Sequence, residues 1–124
     1  MSLFDAEPFE NFLRTLPAVE IVHQWGGASV GKVGGKIFAI LSYWDDGQSR
    51  IGFKCSDLSF RLLPELDHVQ PAKYLARAKW VQIGPGAPLS EDEIRSYIDA
   101  AHRIIAAKLT RAQKKSLGLE GLSG

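Results

Sequence analysis

Gly26-Gly27-Ala28-Ser29-Val30-Gly31-Lys32-Val33-Gly34-Gly35-Lys36-Ile37-Phe38-Ala39 decides the fold, because it admits two readings with opposite consequences. Gly26 and Gly31-Lys32 have the spacing of a Walker A loop. Such a loop needs a Ser or Thr hydroxyl after the lysine to hold Mg²⁺, and a helix starting there so that backbone amides point at phosphate. Here Val33 follows Lys32, and Gly34-Gly35 comes next instead of a helix start. The alternative is two β-strands, Ala28 to Val33 and Lys36 to Ser42, joined by a Gly-Gly turn that takes up positive φ without steric cost. The flanking residues support the hairpin.

The neighbouring segments extend that hairpin. Val19 to Gln24 is rich in β-branched residues and runs into Trp25-Gly26-Gly27, as a strand entering a turn. After the apolar run ending at Trp44, Asp45-Asp46-Gly47-Gln48 marks another hairpin, and Arg50-Ile51-Gly52-Phe53-Lys54 follows as its return strand. Together these predict a four-stranded antiparallel meander with short connections. Lys79 to Ile83 reads as a fifth strand, ended by Gly84-Pro85-Gly86-Ala87-Pro88.

Helices flank the strands. Phe9, Phe12, Leu13 and Leu16 recur at helical spacing between Pro8 and Pro17. Ser56 or Asp57 caps a second helix, Leu58 to Leu66, shortened or distorted by Pro64, and Pro71 to Leu75 offers a further helical turn. Ser90 and Glu93 form a capping box for the last helix, with Leu89 and Ile94 at the positions of a hydrophobic staple. Ile94, Tyr97, Ile98, Ala101, Ile105 and Leu109 then keep the 3.6 period, which assigns Arg95, Asp99, His102 and Arg103 to the solvent face. The expected fold is α+β, a two-layer sandwich: an antiparallel sheet of about five strands with an N-terminal helix and C-terminal helices packed on it. Residues 1–116 are expected to form a single domain, and residues 117–124, with three glycines in eight residues, a flexible tail.

Composition narrows the function classes. A chain of 124 residues, 45% hydrophobic and 23% charged, suits one globular domain. No apolar run approaches the roughly 18 residues that would span a bilayer, and the acidic start is unlike a signal peptide, so a cytoplasmic protein without membrane association is expected. Cys55 is the single cysteine and so forms no intrachain disulfide. His23, His68 and His102 have no metal-ligand spacing, and Glu91-Asp92-Glu93 sits where a helix dipole favours negative charge; no metal, cofactor or catalytic set is expected. Net charge is +1, which weighs against strong sequence-independent binding to nucleic acid. The charge is unevenly spread: Asp5, Glu7, Glu10 and Glu20 outnumber Arg14 at one end, while Arg95, Arg103, Lys108, Arg111, Lys114 and Lys115 dominate the other.

An ordered series of short motifs resembles the MmcQ/YjbR-like family. It comprises Leu16-Pro17, Lys32 to Ala39, Arg61-Leu62-Leu63, Pro71 to Leu75, Lys79-Trp80-Val81 and Ser96-Tyr97. The resemblance implies a compact α+β domain of the secretion-chaperone-like type, and a predicted DNA-binding role through a paired-wing hairpin surface. It implies no catalytic residue. On the residues themselves, the phosphate-contact candidates are Lys32, Gly34, Gly35 and Lys36 in the hairpin, Arg50 and Lys54 on the next strand, and Lys73, Arg77 and Lys79 before the fifth. Alternation places Arg50, Gly52 and Lys54 on one face. Trp25, Tyr43, Trp44, Tyr74 and Trp80 are core area or a stacking platform, with Trp44 expected to be the most exposed. Two functions follow as expectations: weak DNA binding through the basic hairpin, or a non-catalytic adaptor that takes a protein or peptide on the sheet face or beside the last helix.

Overall fold

The structure is a computed structural model, and it describes residues 2–44, 46–72 and 75–120. Helix α1 (Ala6–Leu13) leads into the meander β1 (Val19–Gln24), β2 (Ala28–Val33), β3 (Lys36–Tyr43) and β4 (Ser49–Lys54). Helix α2 (Asp57–Leu62) passes into a 3₁₀ turn (Leu63–Glu65), followed by β5 (Val69–Pro71), a second 3₁₀ turn (Ala76–Ala78) and β6 (Trp80–Ile83). Helices α3 (Glu91–Ala107) and α4 (Arg111–Leu117) complete the described chain. The strands form one antiparallel sheet of six, in the order β1-β2-β3-β4-β6-β5.

The Gly-rich stretch is the β2–β3 hairpin. Gly34 and Gly35 both take positive φ, at 57° and 79°, which is what a two-residue hairpin turn demands. Register fixes what each face carries. A bulge in β3 sets Gly31 opposite Ala39 but Lys32 opposite Ile37, so Phe38 is the extra residue. The slip turns both Phe38 and Ala39 toward the helices and leaves Ile37, Ile40 and Ser42 on the other face. Leu41, Ile51, Phe53, Val81 and Ile83 join Phe38 and Ala39 in the core, all 0% exposed, against Phe9 and Leu13 of α1 and Ile94, Ile98 and Ala101 of α3.

The capping box closes both ways at Ser90 and Glu93, with 3.1 and 2.9 Å hydrogen bonds, so α3 begins where its sequence signal lies. Pro64 ends α2 early, and its segment continues as a 3₁₀ turn because the ring removes a helical donor. Four expectations change. The sheet gains β5, whose three residues are too few to show a period. His102 lies inside, 1% exposed: its Nε2–H donates to the Pro17 carbonyl at 2.8 Å and its ring meets Phe38 edge-on at 5.2 Å. The basic C-terminal run is a separate helix, α4, with its own capping box from Thr110 and Gln113. Of the expected tail, Gly118 caps α4 in the left-handed region and Leu119 is buried against the core, while residues 121–124 lie outside the described residues.

Candidate functional site

Helices cover one face of the sheet, and the other carries an apolar groove. On the open face, register aligns Ile40 with Gly52 and Gly52 with Gln82 across β3, β4 and β6. These residues form the floor of a groove of about 700 Å³, with Ile37 and Ser42 beside them. Trp25 from the β1–β2 turn and Trp44 from the end of β3 line it, and Ala72, Leu75 and Trp80 line it from the segment around β6. That volume falls within the range of small-molecule sites.

Gly52 gives the groove its depth. A Cβ there would meet the Val81 carbonyl at 3.7 Å and Trp80 Cε3 at 3.9 Å, ordinary contact distances, so crowding does not require the glycine. Gly31 on the helix face differs: its Cβ would stand 2.8 Å from Leu13 Cδ1 and 3.2 Å from Phe38 Cζ.

The tryptophans divide by position. Trp80 is 4% exposed, whereas Trp25 is 66% and Trp44 36%. Trp25, held in the left-handed region at φ 50°, is therefore the most exposed of the three, not Trp44. Exposing a large indole at a strained backbone position is costly for a fold and is a feature of ligand clamps. The Trp44 indole N–H donates to Ser42 Oγ at 3.1 Å, and the Arg50 guanidinium stacks over the ring at 5.4 Å.

The basic candidates do not make one surface. Lys32 lies opposite Ile37 and so faces the groove side, while Lys36 lies opposite Val33 and faces the helix side. Gly34 is closed to a phosphate on one side, since Leu109 fills the space where its Cβ would be, at 2.7 Å; Gly35 has nothing near it. Arg50, Gly52 and Lys54 share the open face, as alternation predicts. Arg50 Nη2 is paired with Asp46 at 2.8 Å. The backbone N–H of Gln48 and then Arg50 hold the Asp46 carboxyl below the usual range. Lys54 is 9% exposed and its ammonium donates to the Ala78 carbonyl; burial first, and Lys108 second, push its pKa down. Lys79 Nζ stands 5.2 Å from the Phe60 ring centroid, Arg77 is exposed, and Lys73 and Tyr74 lie outside the described residues.

Cys55 is buried, and burial pushes its thiol up to about 11, away from the range of a nucleophile at neutral pH. Among the described residues, no three His, Cys, Asp or Glu stand together as a metal-ligand set, and no helix is long and apolar enough to cross a membrane.

The YjbR family model matches residues 14–104, which take in the whole sheet and most of α3. The chain belongs to the YjbR family. Among solved structures it resembles the Deinococcus radiodurans protein DR2400, with domain DUF419. That match has 20% identity and a TM-score of 0.76 over 94% of this chain and 92% of that one. A Pseudomonas syringae protein, Northeast Structural Genomics Consortium target PsR293, aligns at 18% identity with a TM-score of 0.68, covering 81% of this chain and 97% of its own. No curated protein matches. These likenesses support the YjbR-type α+β fold, and the two solved relatives are described without an activity.

The sequence signal for the groove was present but divided. The open-face residues Ile40, Gly52 and Gln82 come from three strands, and strict alternation assigns Ile37 and Ile40 to opposite sides, whereas the bulge at Phe38 brings them to one.

Proposed function

We propose that this YjbR-family protein is a non-catalytic binding module whose open sheet face holds a small apolar ligand. One observation carries the reading: an apolar groove of about 700 Å³, lined by Trp25, Trp44 and Trp80 and deepened at Gly52, on a sheet face that no described helix covers. Leaving the Trp25 and Trp44 indoles exposed beside an open groove forgoes burial worth roughly 25 cal/mol per Å², a cost that bound ligand would offset. The reading keeps the sheet-face binding module expected from the sequence and replaces a protein partner with a ligand of small-molecule size. Phosphate binding by the hairpin has less support, because Lys32 and Lys36 face opposite ways.

The test is a titration with an uncharged, solvent-sensitive naphthalene dye. Saturable enhancement at one dye per chain is expected, and Trp25→Ala/Trp44→Ala, at exposed positions, should weaken it at least tenfold. Unsaturable enhancement, or the same affinity in that variant, would overturn the reading.

A further inference from the structure

The groove does not end in apolar residues. Beside it lies a smaller polar pocket of about 210 Å³, lined by Gln48, Arg50, His68, Gln70, Gln82 and Gly84 among others. The two are adjacent: Gln82 lines both, and Arg50, which lines the polar pocket, stacks on Trp44, which lines the groove. We infer that the groove's ligand is an apolar, aromatic carboxylate, with its ring system among the tryptophans and its acid group in the pocket beside Arg50 and His68. This rests on the binding function proposed above and adds the chemical class of the ligand.

Three observations favour an anionic head. Across β2 to β6 the charged open-face residues are Lys32, Arg50 and Lys54, all basic; the acid on that face, Glu20, lies opposite Lys32 on the edge strand β1. The Arg50 guanidinium is 20% exposed: Nη2 pairs with Asp46 at 2.8 Å, and Nη1 reaches Gln48 Oε1 at 3.4 Å and the Ser49 carbonyl at 3.3 Å. Asp46 is itself 52% exposed, so a ligand carboxylate competes with it for the same fork of donors. His68 is fixed at the pocket in the left-handed region, φ 61°, with its carbonyl accepting from Gly84 N–H at 2.9 Å. The missing side chain of Gly86 accommodates its ring: a Cβ there would stand 2.9 Å from His68 Nε2.

The experiment compares 2-naphthoic acid with 2-naphthamide, which share an apolar body and differ in the head group, by calorimetry and tryptophan fluorescence on the full chain. The acid should bind at least tenfold more tightly than the amide at low salt. Raising the salt should weaken the acid and leave the amide unchanged. In Arg50→Gln the acid-to-amide ratio should fall to about one, and since the ratio is the readout, a general loss of packing against Trp44 does not mimic the result. Equal binding of acid and amide to the unmodified protein would overturn the carboxylate assignment and leave the groove function intact. A salt-insensitive preference, or a preference that survives in Arg50→Gln, would also overturn it. Binding of neither ligand would count against the groove function itself.

Discussion

Gly52 separates a groove kept open for a ligand from a groove left by packing. In the middle of a strand, glycine costs about 0.5–1 kcal/mol relative to alanine, because it loses more backbone freedom on folding and contributes no side chain. At Gly52 a Cβ would meet atoms at 3.7 and 3.9 Å, and the register points it into the groove between Ile40 and Gln82. Gly52→Val therefore restores strand propensity with its Cβ at ordinary contact distance, and should raise stability by about 1 kcal/mol, or about 4 °C in Tm for a domain of this size. The same isopropyl group occupies ligand space and should lower affinity for an aromatic probe at least tenfold, about 1.4 kcal/mol. Gly31→Ala supplies the contrast: its methyl would stand 2.8 Å from Leu13 and 3.2 Å from Phe38, so overpacking should cost about 1–3 kcal/mol with probe affinity unchanged. Chemical denaturation and dye titration on both variants measure the two quantities. Wild-type affinity in Gly52→Val, or a destabilisation matching that of Gly31→Ala, would refute the reasoning.

Other parts of the fold give independent expectations. Burial works to raise the Glu10 pKa, but hydrogen bonds from Ser29 and His23 at 2.6 and 2.8 Å, with the charges of His23 and Arg14, hold the carboxyl below its ordinary 4.5. A depressed carboxyl contributes stability above its unfolded pKa that is lost as pH falls through the folded one. Glu10→Gln should thus cost about 1 kcal/mol at pH 7 and flatten the stability loss below pH 4.5, read from urea midpoints across that range. His102→Ala removes the bond to Pro17 and the contact with Phe38 and should cost about 2–3 kcal/mol, measured by thermal unfolding. Cys55, buried and pushed up to about 11, should resist a chromogenic thiol reagent at pH 8 in the folded protein and react fully in guanidinium.

Much of the architecture was legible because local signals and global packing agree. The strands β1 and β2 and the start of α3 follow from the Gly-Gly turn, the β-branched run before Trp25 and the Ser90/Glu93 box, each a local effect with a fixed geometry. What escaped depends on contacts distant in sequence. His102 reads as a solvent-face residue by periodicity, yet Pro17, far away in the chain, supplies the carbonyl that makes its burial tolerable. β5 forms because β6 offers an edge to pair with, not because Val69-Gln70-Pro71 has strand character of its own. Leu119 sits beyond a glycine that looks like the start of a loose tail, and that glycine instead caps α4 and turns the chain back to the core. The basic residues could be named from the sequence but not grouped, since a two-residue turn sends Lys32 and Lys36 to opposite faces and the fate of Arg50 depends on its pairing with Asp46.

Amide and indole chemical-shift mapping tests the central claim most directly, with an isotopically labelled chain titrated in parallel with an aromatic probe and with a short DNA duplex. Binding on the open face predicts that the probe moves the backbone signals of Ile40, Gly52 and Gln82 and the indole N–H signals of Trp25, Trp44 and Trp80, saturating together. Probe-induced shifts absent from those residues, or saturable shifts centred on Gly34 and Gly35 with the duplex alone, would contradict it.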